Sequence, residues 1–227
     1  MKWRGLEEQQ RNPDAGLSLR QRLDERRELM RQYVPAASQE VNRRAVEELR
    51  QSGIAQRILQ AGQAAPDFEL PDHNGNPIAL AFLLARGPVI AVFFRGRWCP
   101  FCVAQLEALQ ECLPQIQSAG ASLVAISPQT VKQCFFMRDQ HKLAYPLLSD
   151  SGNRVARQFG LAYPVSAEQR TLYASTFVNL PFINGDPSWE LPLPATYVIG
   201  GDGKIAYASA DPDYTVRPEP GEALKNL

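Results

Sequence analysis

The chain has 227 residues, 44% of them hydrophobic, and its 24 basic and 24 acidic side chains give a formal net charge of +0. That size fits one domain with an appendage, and the neutral balance argues against nucleic acid or an anionic membrane as the main partner. Four cysteines are too few for a disulfide-stabilised scaffold.

The first 60 residues predict a helical extension. Residues 1–16 are polar and predict a frayed start without the apolar segment of a signal peptide. Helix-forming residues follow, and Pro35 separates two loosely amphipathic helices, with Ser38 as the predicted cap of the second. Two interpretations stay open: the extension packs on the main domain, or it docks a partner or a second copy of the chain.

From residue 61 onward, strand and helix patterns alternate, which predicts an α/β sheet with a parallel pair. The predicted strands are 67–70, 88–94, 121–127, 143–148, 195–199 and 204–208, and the predicted helices are 100–118, 130–141 and 153–159. Pro114 predicts a kink near the end of the first of these helices. Residues 164–190 break the alternation and predict a helix followed by an irregular loop. This insertion either forms the entrance to a binding site or is a surface loop without a role in binding.

The segment Cys99-Pro100-Phe101-Cys102 follows the most apolar predicted strand and opens a helix. Two cysteines in this spacing, at a strand-to-helix turn, indicate a thiol–disulfide site. Proline suits the first helical position, so Cys99 is predicted at the helix N-terminus, exposed and with a lowered pKa. Arg95 and Arg97 would add positive charge, and Cys102, one turn later, is predicted to be more buried.

Two other interpretations of the cysteine pair are weaker. A zinc site needs two more ligands, and the remaining candidates, Cys112, Cys134, His73 and His141, are unpaired in the sequence, so we expect neither a metal nor a cofactor. The pair could also be two inert core thiols. Cys112 would lie about 20 Å from Cys99 along the helix, beyond disulfide reach. Cys134 is predicted to be a core thiol.

Four motifs make the chain resemble the AhpC/TSA (redoxin, peroxiredoxin-like) branch of the thioredoxin-fold superfamily. They are Ala65-Pro66-Asp67-Phe68-x-Leu70, Phe93 to Cys102, Pro146 to Asp150, and Pro194 to Gly203, within residues 61–216. The resemblance implies a thioredoxin-like fold, a central mixed sheet flanked by helices, over residues 61–227. It also implies a cis peptide bond before Pro194, facing the cysteines. Trp98, Pro100 and Thr196 are supporting residues in these motifs.

The chain also departs from the family pattern. Peroxiredoxins carry a proline and a hydroxyl residue before the peroxide-attacking cysteine, and Val92 and Gly96 stand at those places. The family's arginine on the opposite strand is replaced by Pro194. We therefore expect Arg95, Arg97 or Arg217 to supply the missing donor. The buried acid of thioredoxins is also missing, because Phe93 occupies its place.

The resemblance implies a thiol-dependent peroxidase. Cys99 attacks a hydroperoxide, Cys102 forms the disulfide, and a thioredoxin-like dithiol protein reduces it. One alternative is a protein disulfide oxidoreductase, in which Cys99 attacks a protein disulfide. Another is a redox-sensing or docking module without turnover. We expect a homodimer without nucleic-acid or membrane contacts, located in the cytoplasm, where thiols stay reduced.

Overall fold

The computed structural model describes residues 16–227, so all but the last residue of the predicted frayed start lies outside the described residues. Helices α1 (Leu19–Tyr33) and α2 (Ala36–Gln51) form the extension, and a 3-10 turn (Ile54–Gln56) follows. Ser18 caps α1. The prediction that Ser38 caps α2 is wrong: the N-cap is Pro35, whose carbonyl accepts the backbone N–H of Ser38, so this helix begins three residues earlier.

The extension packs against the main domain. Leu19 and Leu23 of α1 are buried in the same apolar cluster as the cysteine-bearing helix. Arg22, fully buried between them, donates a 2.6 Å hydrogen bond to Glu111. Within residues 16–227, no helix is both long and apolar enough to cross a membrane.

The main domain is a mixed sheet flanked by helices, as predicted. A hairpin, β1 (Glu69–Pro71) and β2 (Pro77–Ala79), precedes it, and the later strands are β3 (Val89–Phe93), β4 (Ser122–Ser127), β5 (Leu147–Ser149), β6 (Ala162–Pro164), β7 (Glu190–Pro192), β8 (Ala195–Ile199) and β9 (Ile205–Ala210). The sheet order is β5-β4-β3-β8-β9. Strands β3, β4 and β5 run parallel, whereas β8 pairs antiparallel with β3.

The helices lie on both faces of the sheet. They are α3 (Leu80–Leu84), α4 (Pro100–Glu111), α5 (Leu113–Ser118), α6 (Val131–Gln140), α7 (Arg154–Gln158), α8 (Ala167–Ser175), α9 (Leu180–Asn184) and α10 (Pro220–Leu224). Alternate residues of β3 enter two apolar clusters, one on each face. One face of α4 and α5 repeats apolar residues at helical spacing, and all of them are buried: Cys102, Leu106, Leu109, Leu113 and Ile116. Near Pro114 the predicted kink is a full break between α4 and α5.

The 164–190 insertion is more regular than predicted. Strands β6 and β7 pair antiparallel and close its base, and α8 and α9 lie between them. Each of these strands has three residues and ends on a proline, so neither shows the alternating pattern from which strands are predicted.

The cis peptide bond expected before Pro194 is not present, because this bond is trans. The chain runs from β7 into β8 with Leu193 donating its backbone N–H to the Leu161 carbonyl at 2.9 Å. Ala195 already pairs with Phe93 in the sheet. An extended path of this kind leaves no tight turn that a cis bond would make.

We expect Gly160→Ala to destabilise the junction between the extension and the main domain. Gly160 has a φ of +74°, and a Cβ there would lie 1.9 Å from the Arg57 carbonyl oxygen. Gly152 is the matched control, because its φ of +80° imposes similar backbone strain with no atom within 4 Å. The free energy of unfolding should fall by about 1–3 kcal/mol more in Gly160→Ala than in Gly152→Ala. Urea unfolding of both variants measures this, and equal losses would contradict the close contact.

Candidate active site

The two cysteines lie where the carboxyl end of β3 leads into α4. Cys99 is the N-cap of α4 and Pro100 its first residue, as predicted. The Cys99 carbonyl accepts the backbone N–H of Cys102 at 3.1 Å, which places the two residues on the first helical turn. Both thiols are free, and their side chains are hydrogen-bonded to each other. The pair is therefore a reduced dithiol with its sulfurs in mutual contact.

Cys99 is not exposed, contrary to the prediction. Its exposed fraction is 1%, and that of Cys102 is 0%. The chain after β9 causes this burial, because it folds back onto the start of α4. Tyr214 packs edge-on against Phe101 with 5.8 Å between ring centroids. The sequence analysis named only Arg217 in this segment.

Arg95 is a buried cation held by aromatic side chains. Its guanidinium carbon lies 4.7 Å from the ring centroid of Trp98 and 4.2 Å from that of Tyr214. Nη2 donates a hydrogen bond to the hydroxyl of Tyr173, and the hydroxyl of Tyr163 is also in contact with the guanidinium. Its Nε has no hydrogen-bond partner within residues 16–227. Arg95 thus brings a desolvated positive charge and an unpaired N–H to the cysteines.

Arg217 is the second cation of the site. Its Nη2 donates to the Cys102 sulfur at 3.6 Å, and its Nε donates to Gln105 Oε1 at 2.8 Å. Gln105 in turn donates from Nε2 to Thr196 Oγ1 at 3.1 Å. A chain of hydrogen bonds therefore runs from Thr196 on β8 to the sulfur of Cys102. Thr196 supports the site through this chain and does not contact either sulfur.

Arg97 does not join the site. Its side chain is exposed, and its Nε donates to Gln133 Oε1 on α6 at 2.9 Å. The next residue, Trp98, turns back inward. A Cβ on Gly96 would lie 2.6 Å from the Trp98 Nε1, so the indole N–H occupies the space of a side chain at position 96. That N–H is buried and has no hydrogen-bond partner in the described part of the chain.

The acidity of the two thiols is the reverse of the prediction. Burial opposes ionisation of Cys102, but a hydrogen bond from Cys99 and the charges of Arg217 and Arg95 outweigh it and lower the pKa of Cys102 to about 5. Burial and the neighbouring Cys102 raise the pKa of Cys99 well above its ordinary value, against the pull of Arg95 and Arg217. The prediction rested on the helix terminus and on Arg95 and Arg97, and it missed both the burial and the charge of Arg217.

The remaining sulfurs lie outside the site. Cys134 is fully buried on α6, as predicted, and burial raises its pKa to about 11. Cys112 is half-buried at the break between α4 and α5. Within the described residues, no group of three or more histidine, cysteine or acidic side chains is placed to hold a metal ion.

Sequence reasoning missed four residues of the site: Gln105, Tyr163 of β6, Tyr173 and Tyr214. Gln105 sits on α4, and its polar side chain on an otherwise apolar helix face was the one available signal. Tyr173 comes from the insertion and Tyr214 from the chain after β9. Only the tertiary fold brings the three tyrosines to the cysteines.

Comparison with known proteins finds relatives that are named as peroxiredoxins or peroxidoxins. A putative peroxiredoxin of Mycobacterium tuberculosis is 32% identical over 120 residues, which cover 53% of this chain and 78% of the relative. The chloroplastic peroxiredoxin Q of rice (Oryza sativa subsp. japonica) is 32% identical over 169 residues, 74% of this chain and 67% of the relative. The crystal structure of the peroxidoxin BcpB of M. tuberculosis matches with a TM-score of 0.59 and 26% identity, covering 74% of this chain and 96% of that one.

The fold of these relatives agrees with the sheet described above, which is thioredoxin-like, as the sequence motifs implied. The sequence profile of the AhpC/TSA family matches residues 61–208. This match spans the strand before the cysteines, the dithiol and the closing hairpin. The chain is a member of the AhpC/TSA family.

Proposed function

We propose that the protein is a thiol-dependent peroxidase that reduces hydroperoxides through a Cys99/Cys102 dithiol–disulfide cycle. Family membership and relatives named peroxiredoxin support an oxidoreductase of this type. One observation carries the proposal to these residues. Two arginines, Arg95 and Arg217, face a buried pair of free thiols, and within residues 16–227 neither arginine is hydrogen-bonded to a carboxylate.

A buried guanidinium without a carboxylate needs another negative charge. Leaving an ion unpaired in the protein interior costs several kcal/mol. The ionised dithiol supplies that charge, since one proton is shared between two sulfurs that lie beside Arg95 and Arg217. The arginines therefore keep the pair in its nucleophilic form at neutral pH.

The first chemical step is attack by Cys99. Its proton passes to Cys102 along the hydrogen bond between the thiols, and the Cys99 thiolate attacks one oxygen of the hydroperoxide. The O–O bond breaks, Cys99 becomes a sulfenic acid, and the departing alkoxide takes the proton from Cys102 to leave as alcohol. Buried N–H groups of Arg95 and Trp98, which have no hydrogen-bond partner among residues 16–227, are available to stabilise the oxygen on which charge develops.

The second step closes the cycle within the chain. Cys102 attacks the sulfenic sulfur, a disulfide forms and water is released. A thioredoxin-like dithiol protein then reduces the disulfide by exchange. We place this cycle in the cytoplasm, where such reductants keep thiols reduced. The rice relative is named as chloroplastic. A homodimer is part of the same proposal.

Burial of Cys99 favours the peroxidase over the protein disulfide oxidoreductase. A hydroperoxide is small enough to enter between side chains, whereas a protein disulfide must meet the attacking sulfur at the surface. With 1% of Cys99 exposed, the reduced form does not present that sulfur to a second protein. Reduction of the finished disulfide requires the chain around Tyr214 to move aside. The sensing module is distinguished by a change of oligomeric state on oxidation without turnover.

The proposed function is tested by stopped-flow mixing of the reduced protein with hydrogen peroxide. The expected rate exceeds that of a free thiolate of the same pKa by at least about 100-fold, since one aimed donor contributes about that much. Cys99→Ser should abolish the reaction, and Cys112→Ser is the matched control that should leave it unchanged. A rate equal to that of the free thiolate would contradict a peroxidase and favour disulfide exchange.

A further inference from the structure

Several hydrogen bonds fix the position of the Arg217 guanidinium. Besides the Cys102 sulfur and Gln105, its Nη1 donates to the Val216 carbonyl at 2.6 Å. Gln105 and its own partner Thr196 are both buried, so the amide that orients the guanidinium cannot rotate freely. The direction of the N–H toward Cys102 is therefore set by the fold.

The two arginines act on different sulfurs. Arg95 is the stronger positive influence on Cys99, and Arg217 is the stronger on Cys102. The cycle proposed above also needs a thiolate twice, first on Cys99 for the attack on peroxide and then on Cys102 for disulfide formation. Arg95 thus acts mainly on the sulfur that reacts with peroxide, and Arg217 acts mainly on the sulfur that forms the disulfide.

We propose that Arg217 is a catalytic residue of the second step, in which it holds Cys102 as the thiolate that attacks the Cys99 sulfenic acid. This proposal rests on the proposed peroxidase function. The Cys102 sulfur forms the S–S bond, the S–O bond of Cys99 breaks, and hydroxide leaves and takes a proton from solvent to become water. Cys99 is reduced from the sulfenic state to the disulfide, and Cys102 is oxidised.

Fast disulfide formation protects Cys99 from further oxidation. A sulfenic acid that waits can react with a second peroxide and become a sulfinic acid, which a thiol does not reverse. Arg217 and Arg95 both lower the pKa of Cys102 and so favour the thiolate that this step needs. The charged and titratable groups that act on this sulfur are Cys99, Arg217, Arg95 and Tyr163. Arg217 therefore determines how long the sulfenic acid survives.

The test resolves the two steps in Arg217→Met. An opposite charge at this distance shifts a pKa by about 1–3 units. Without it, the thiolate fraction of Cys102 at neutral pH falls by up to about tenfold, and so should the first-order rate of disulfide formation. The second-order rate with hydrogen peroxide should fall by no more than the same factor, because Cys102 must be a thiolate to take the proton of Cys99. Mass spectrometry should detect more sulfinic acid on Cys99. Arg217→Lys should recover part of the rate, because it restores charge without the fork geometry.

A second measurement needs no peroxide. In Cys99→Ser, the alkylation rate of Cys102 is followed against pH with and without Arg217→Met, and the midpoint should rise by about 1–3 units in the double variant. An unchanged midpoint overturns the role of Arg217 while the peroxidase stands. A wild type that does not react with peroxide overturns the proposed function and, with it, this step.

Discussion

Replacing Arg95 by methionine is expected to slow the attack of Cys99 on hydrogen peroxide by about 100- to 1,000-fold. The substitution removes the unpaired Nε–H and the desolvated charge, and Arg95 is the stronger of the two cations acting on Cys99. Methionine has a similar length and an apolar side chain that fits between the rings of Trp98 and Tyr214. The fold should therefore persist while the chemistry is lost.

Stopped-flow measurement of the second-order rate with peroxide checks this expectation. Arg97→Met is the matched control, because it removes a guanidinium only two residues along the chain. The Arg97 side chain is exposed and is hydrogen-bonded to Gln133. That control should retain the wild-type rate within about twofold, as surface substitutions usually do little. If both variants lost the same activity, the assignment of Arg95 over Arg97 would be wrong.

Trp98→Phe is expected to lower the same rate by about 100-fold. Phenylalanine keeps an aromatic ring against Arg95 and Tyr173 but removes the indole N–H beside Gly96. In the family pattern a hydroxyl residue stands at position 96, and here the indole nitrogen fills that space. The loss should appear in the rate of peroxide attack and leave the alkylation rate of the thiols nearly unchanged, because a donor aimed at the peroxide oxygen does not act on the resting thiolate.

The control for this variant is Trp189→Phe, in which the same change is made in the insertion, where the ring packs against Arg170. It should show the wild-type rate of peroxide attack. A Trp98→Phe variant as fast as wild type would leave Arg95 as the donor and assign the indole a packing role alone.

Local features of this site could be predicted from the sequence. Three of these features depend only on neighbouring residues, and the structure confirms them. They are the strand before Cys99, the position of Pro100 as first residue of the helix, and the placement of both cysteines on the first helical turn. The buried stripe on α4 and α5 follows from helical periodicity in the same way. The closing hairpin, β8 and β9, was visible from its glycine-rich turn.

Properties that depend on distant residues could not be predicted. The acidity of the thiols was assigned to the helix terminus and the nearby Arg95 and Arg97, but Arg217 lies more than 100 positions from Cys102 in the sequence. Tyr173 lies 78 positions from Arg95. No local pattern tells which of several arginines turns inward. Arg95 and Arg97 are two residues apart in the same loop, yet one is buried among aromatic rings and the other is in solvent.

The segment after β9 carries two residues of the proposed site that lie outside the family match. The family match ends at residue 208, so a fragment cut at its limits would keep both cysteines and Arg95 but lose Tyr214 and Arg217. That segment is in turn fastened by the extension, since Arg27 of α1 donates to the Thr215 carbonyl at 2.7 Å. A fragment that keeps the whole proposed site must therefore extend beyond the family match at both ends, because this hydrogen bond joins the extension to the segment that carries Tyr214 and Arg217.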